Sequence, residues 1–542
     1  MRPQVANLVS LYRAFLVALI LSSVGAFAAP TITLLSPKPG SSANSPVFYQ
    51  AYASTSCAAG ISRITIFSSP GVQAYSTVTS QVQAFVQLAP GTYNTVIKAA
   101  DKCGGTAVAA AQVVVSDNAG VTVYTPMSPT AISPVKFAAS ASSPGCAQGI
   151  SAMRIYTAPF TEAYTVDSDH LNTYLALPPG SYPFVVQAWD NCGAVFKTEV
   201  DTAVANAKDR HLYEVTNDFH AVNEFNIDPS GNLAFSNQAS TQNLSPLNAV
   251  VDPTGRFLYV GGATNGIVGY RIDRTTGNLT LLPGSPFKVS TGRENFIAIG
   301  MDPHGNFVFA SDAFNHLFTL QIDWATGKLS KVAMATLPAL ASGGPIVTDP
   351  SGHFVYAGVQ VPNGIAAYKV DWATGKLAPV SGSPFPASGN SLNMSTTNRY
   401  LYLQQGDHMI SGYRIDTDSG ALTEVPGSPF NVNDNDMGVD PVYDRVYTGS
   451  AVISAWASDP GTGTLTLINQ STEENYETIG TLWADHSGQF LYGIVETSCP
   501  FPPCESSVAS FRVDPQSGVV TKDSDALVIT SFGEIGSLQT TR

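Results

Sequence analysis

The sequence predicts an all-β protein: two tandem β-sandwiches followed by a seven-bladed β-propeller closed by its N- and C-terminal strands. Three observations predict it. Two cysteine pairs, Cys57 with Cys103 and Cys146 with Cys192, repeat with one spacing. Two short turn phrases alternate through residues 207–542, each recurring about every 45–50 residues. The composition is 44% hydrophobic and 12% charged, with 46 glycines and 36 prolines, which suits many short strands joined by turns. At 542 residues the chain is also too long for a single core.

The N-terminus reads as a targeting segment. Arg2 and Arg13 precede the apolar run 14–21, and Ala26-Phe27-Ala28 gives a small-x-small cleavage pattern before Ala29. Residues 1–28 are therefore expected to be a secretory signal peptide, leaving an exported chain, periplasmic or extracellular. The rival reading is an uncleaved anchor, but the run is short for ~30 Å of hydrocarbon. No membrane span is expected in the mature chain. Lys plus Arg total 26 against 40 Asp plus Glu, a net charge of −14 with no basic run, so nucleic acid is not an expected partner.

Residues 29–117 and 118–206 align without a gap. Gly60 matches Gly149, Ile61 matches Ile150, Tyr75 matches Tyr164 and Asp101 matches Asp190. This is a tandem duplication. "APGTYNTVIKAAD" and "PPGSYPFVVQAWD" each give a turn and then alternating apolar residues. Roughly seven such strands per copy predict a sandwich. Each cysteine pair lies just beyond a strand end. With no Cys-x-x-Cys and no histidine at zinc-site spacing, disulfides are expected rather than a metal. The "SP…GS…SPV" opening and the "QAWDNCG" close resemble bacterial immunoglobulin-like modules. That resemblance implies a spacer or adhesive role for residues 29–206.

In residues 207–542 one phrase is apolar-Asp-x-x-x-Gly-x-Leu: "RIDRTTGNL", "QIDWATGKL", "KVDWATGKL", "RIDTDSGAL" and weaker forms. The other is Asp-Pro-x-Gly before a β-rich run: "VDPTGRFLYV", "MDPHGNFVFA", "TDPSGHFVYA", "ADHSGQFLYG" and degenerate forms. Both are turns with a mechanism. The Asp side chain accepts backbone N–H groups, Pro presets φ and Gly supplies the positive φ. If the strands of a unit are A to D from inside outward, the first phrase joins C to D and the second joins A to B. Asp323 and Asp371 are then turn formers in adjacent blades, not a catalytic pair. The chain enters the repeats lacking an A strand and leaves with an unpartnered one, so its two ends are expected to complete a shared blade.

These phrases, with "GSPF" at 284–287, 382–385 and 427–430, resemble the lactonase family of seven-bladed propellers, which includes the 6-phosphogluconolactonase type. The resemblance implies the fold, and a lactone hydrolase activity if the protein is an enzyme. The alternative is a non-catalytic binding protein carried on an immunoglobulin-like stalk, recognising a glycan, protein or small molecule.

Both stereotyped turns fall on one face of the disc, so binding is expected on the opposite, variable-loop face. Arg293, Glu294, His316 and His408 are the candidate catalytic residues: a carboxylate or histidine as base and Arg293 to polarise a carbonyl. Asp312, Asp407, Asp434, Asp436, Glu477 and Glu534 are the candidate ligand-binding residues. Neighbouring carboxylates suit a divalent cation, calcium or magnesium, as the one cofactor considered. Cys499 and Cys504 are expected to form a local disulfide in the longest loop of that face. Only Lys288 and Arg293 are cations in these loops, which argues against a phosphorylated substrate. No Gly-x-Ser-x-Gly or His-Glu-x-x-His motif is present.

Overall fold

The computed structural model describes residues 29–541 apart from short segments, of which 289–295, 339–343 and 498–505 are the longest. The signal-peptide expectation for 1–28 lies outside the described residues. Every regular element described is a β-strand.

Two sandwiches come first. One pairs the sheet Thr31–Ser36, Val47–Ser54, Gln81–Val86 with a five-stranded sheet containing Gly91–Asp101 and Thr106–Ser116. The second repeats the same strand order, with Val135–Ser142 and His170–Leu175 in its smaller sheet. Each has its own core. Phe48, Ile64, Ile66 and Ile97 fill the first; Phe137, Ile155, Phe184 and Val186 fill the second. Disulfides join Cys57 to Cys103 and Cys146 to Cys192. The Asp two residues before each second cysteine organises its loop. Asp101 accepts the N–H of Cys103 and Gly105, and Asp190 accepts the N–H of Cys192 and Ala194.

Seven sheets built on four-strand paths follow. Blade 1 combines His211–Thr216, Ala221–Ile227 and Leu233–Ser240 with the C-terminal strand Ile535–Thr541, which pairs antiparallel with His211–Thr216. Blades 2 to 7 span 246–281, 296–336, 346–386, 391–431, 436–470 and 476–530. Each inner strand packs beside the inner strand of the next blade, and that of blade 7 returns to Ile535–Thr541. The pairing expected between the two ends of the repeat region is thus present.

The turn phrases work as their chemistry requires. Asp323 accepts Thr326 N–H at 2.9 Å, and Gly327, at φ +78°, donates to Asp323 O at 2.7 Å. Asp371 does the same with Thr374 and Gly375. In the other phrase, Asp302 takes the N–H groups of His304, Asn306 and Phe307. The "GSPF" serines cap the third strands: Ser285, Ser383 and Ser428 accept N–H from Gly269, Ala367 and Gly412.

The sandwiches fold back onto the turn face rather than standing away from the disc. The Ser80 hydroxyl receives Trp324 N–H, and Gln321 donates to Val78 O at 2.8 Å. Gly60 lies so close to Asp323 that a Cβ there would strike the carboxylate. The second sandwich sits on blade 5: Arg399 pairs with Glu162 at 2.9 Å, and Thr417 donates to Thr165 O at 3.0 Å. An extended stalk is therefore not the arrangement of these domains.

Candidate functional site

An inner strand has one edge with no neighbour in its own sheet, so its N–H and C=O groups need partners from elsewhere. Polar side chains of the adjacent inner strand supply several of them. Asn248 donates to Ile299 O and accepts Ile299 N–H, at 2.8 and 3.1 Å. Asn393 donates to Met437 O at 2.8 Å, and Ser537 accepts Ala249 N–H at 2.9 Å. Asp436 holds the same kind of position. It accepts N–H from Met437 and Thr481 and an amide N–H from Asn393. Burial raises its pKa against these hydrogen bonds. Asp436 thus lines the channel but is committed to the seam between blades 5, 6 and 7.

The channel opens on the turn face into a chamber of about 1090 Å³ beneath the sandwiches. Its roof is Leu35, Gln50, Tyr52, Gln81, Gln83 and Tyr174. Its floor and walls include Asn248, His304, Trp324, Thr396, Trp483 and Gln539. At one side Lys136 reaches over the Tyr174 ring, 4.7 Å from its centroid, and donates to Gln83. Burial pulls the Lys136 amine down to about 7, against the attraction of Asp302. Asp302 is itself pushed up to about 6 by burial. His304 packs between Tyr174 and Trp372, and burial holds its pKa well below the usual value.

On the opposite face the structure brings two of the sequence candidates together. Asp312 ends the second strand of blade 3. Its carboxylate accepts the N–H of Phe314 and His316, and stands 2.8 Å from His316 Nδ1. That contact commits one ring nitrogen and leaves Nε2 for proton transfer. Asp312 is buried while His316 keeps about a third of its side chain open: 8% against 35% exposed. Across the sheet Asp312 pairs with Phe296, the first residue of the blade 3 inner strand. In the sequence, Arg293 and Glu294 come just before that strand.

His408, grouped with His316 in the sequence reading, has a different place. It takes φ +61° in its turn, as Asn315 and His220 do in theirs, and its carbonyl accepts Val432 N–H. Arg293, Glu294, Asp407, Asp434, Glu534, Cys499 and Cys504 lie outside the described residues; Glu477 is described only as part of the strand Tyr476–Ala484. Among the described residues, the groups of three ligating side chains are Cys57–Asp101–Cys103 and Cys146–Asp190–Cys192, and their sulfurs are spent in disulfides.

The turn phrases, their blades and the channel bear on ancestry. Residues 320–434 match the lactonase family of seven-bladed β-propellers. This lactonase segment runs from the third strand of blade 3 through blade 5. No curated protein matches the chain. Among solved structures, the periplasmic gluconolactonase of Pseudomonas aeruginosa is 15% identical, with 62% of this chain and 99% of that one covered and a TM-score of 0.47. A protein from Lactobacillus plantarum is 16% identical over 62% and 100%, with a TM-score of 0.46. Hydrazine synthase of Kuenenia stuttgartiensis is 14% identical over 50% and 78%, with a TM-score of 0.35. Likenesses this distant say nothing of activity.

No sequence motif marks the chamber. Tyr52, Gln81, Gln83 and Tyr174 carry no motif, and nothing in a strand's alternation says what its outward face will meet.

Proposed function

We propose that this is an exported protein whose lactonase-type propeller hydrolyses an unphosphorylated lactone on the variable-loop face. The observation that carries this reading is the Asp312–His316 pair, 2.8 Å apart, between the second and third strands of blade 3 and just before the segment that matches the lactonase family. Asp312 holds the imidazole in one orientation, so His316 Nε2 takes a proton from water as the water oxygen attacks the lactone carbonyl. Arg293 is assigned the developing oxyanion. The tetrahedral intermediate then expels the ring oxygen, which takes the proton back from His316. A hydroxycarboxylate and one net proton leave. Glu294 and the other loop carboxylates are assigned to substrate or to a divalent cation.

The test is proton release in a pH-stat from sugar and aliphatic lactones, with and without EDTA and added Ca²⁺. His316→Ala should lower kcat/KM at least ~100-fold, the low end for a general base. The Arg293→Ala, Glu294→Gln double variant should also be inactive. A wild type that hydrolyses nothing in the panel would sink this reading. The second reading is non-catalytic recognition, favoured by the chamber and its walls rich in amides and aromatic rings.

A further inference from the structure

The chamber beneath the sandwiches is built from parts of three domains, and lactone hydrolysis on the other face has no use for it. Its walls narrow the chemistry of an occupant. Among the described residues that line it there is no lysine and no arginine. The lysine beside it, Lys136, is already bonded to Gln83 and seated on the Tyr174 ring, so a phosphate or carboxylate would have to displace those contacts to gain a counter-charge. Three carboxylates line it, and all are already engaged. Asp252 accepts N–H from Thr254, Arg256 and Phe257. Asp302 accepts three N–H groups of its own turn, and Asp436 is held in the seam. A cation would have to displace those bonds. Charge of either sign is disfavoured.

What the walls do offer is amides and aromatic rings. Gln50 and Tyr52 alternate on Val47–Ser54 and face the same way, and their cross-strand partners are Gln83 and Gln81. The outward face of this small sheet is therefore a patch of three carboxamides around one tyrosine. Tyr52 is 40% exposed and Leu35 beside it is 49% exposed, although both face a chamber rather than bulk solvent. Tyr174 extends the patch from the second sandwich, and Trp324 and Trp483 face it from the propeller. Two polar groups here have no hydrogen-bond partner among the described residues: the buried Gln81 side-chain oxygen and the ring of the buried His304, whose Nδ1 lies 3.5 Å from Asp302. A carboxamide donates and accepts at once, as a hydroxyl does. A tyrosine or tryptophan ring offers a flat apolar face with a polar edge. The volume is that of a ligand site rather than of a packing defect.

We propose that this chamber is a binding site for an uncharged carbohydrate, with the Tyr52, Gln50, Gln81 and Gln83 face of the first sandwich as its main recognition surface. A pyranose ring stacks on Tyr52, its hydroxyls bond the carboxamides, and the channel residue Gln539 meets the next sugar. This deepens the non-catalytic reading and does not depend on lactone hydrolysis.

The test uses the full mature chain from Ala29. Maltohexaose, cellohexaose, xylohexaose and chitohexaose are titrated by calorimetry and by tryptophan fluorescence, with hexagalacturonate as the charged control. One neutral hexasaccharide should bind and the galacturonate should not. Tyr52→Ala and Gln81→Ala should each weaken binding about tenfold, the scale of a central contact. Both positions lie on a sandwich surface, and the circular dichroism of the variants checks folding. His316→Ala should bind as the wild type does, which separates this site from the loop face. Binding confined to galacturonate, binding lost in His316→Ala but untouched in Tyr52→Ala, or no binding across the neutral panel would each overturn the proposal.

Discussion

Tyr259, buried in the second strand of blade 2, donates its hydroxyl to the carbonyl of Gly327 in blade 3 at 2.7 Å. The bond ties the two repeated phrases to each other: the tyrosine of "GRFLYV" in one blade closes on the glycine of "DWATGKL" in the next. Tyr213 with Gly277, Tyr356 with Gly420 and Tyr402 with Gly463 repeat it at 2.8, 3.1 and 2.9 Å. Blade 3 carries Phe309 at this position, so the ring packs there without its hydroxyl. Tyr259→Phe should then keep the packing and leave the Gly327 carbonyl unanswered. The expected loss is about 1–2 kcal/mol, read from the denaturant midpoint of the propeller transition. An unchanged midpoint would show that the latch adds nothing.

Glu214 lies on the strand His211–Thr216, 1% exposed, with Asn223 donating to it at 3.0 Å. Burial pushes its pKa up to about 7, against that hydrogen bond. A folded value above the unfolded ~4.3 means the native state holds the proton more tightly. The stability it contributes is full below pH ~4 and is lost as pH rises through about 7. Glu214→Gln removes that titration. Relative to wild type it should gain of order 1–3 kcal/mol at pH 8 and little at pH 4, measured by urea unfolding at both. Equal effects at the two pH values would contradict the assignment.

One shared carboxylate helps to hold the second sandwich on the propeller. Glu162 pairs with Arg154 at 3.1 Å in its own domain and with Arg399 of blade 5 at 2.9 Å. All three are partly open to solvent. A double-mutant cycle of Glu162→Ala and Arg399→Ala should give a coupling of ~0.5–1 kcal/mol at low salt. It should shrink towards zero in 0.5 M NaCl, where the Debye length is only about 4 Å. Coupling that ignores salt would mean the pair acts through packing.

Each disulfide closes a loop of 46 residues in sequence separation. Replacing Cys146 and Cys192 together by Ser should cost the second sandwich ~3–4 kcal/mol by chain entropy. The propeller transition in calorimetry should stay within error of wild type, because the second sandwich and the propeller have separate cores. A shift of both transitions together would show that the domains unfold as one unit.

Features that depend on neighbouring residues were determined by the sequence alone. Asp323 meets Thr326 and Gly327, and Asp302 meets residues two to five positions on, so the turn chemistry is written in consecutive letters. Repetition of those letters yields the blade count and the odd strand left at each end. The cysteine spacing likewise marks its own pairs. Asp312 and His316 were each legible as candidates within one loop, but their contact was not, nor was the difference between His316 and His408. It rests on which residue takes the positive φ. Only the tertiary structure decided where the sandwiches sit. Ser80 and Trp324 are 244 residues apart, and a serine beside a glutamine reads as ordinary surface until another domain covers it. The chamber follows from that seating. Burial of amides and tyrosines against a distant domain leaves no periodic trace in the chain, because the free energy that places them belongs to two surfaces meeting and not to either strand.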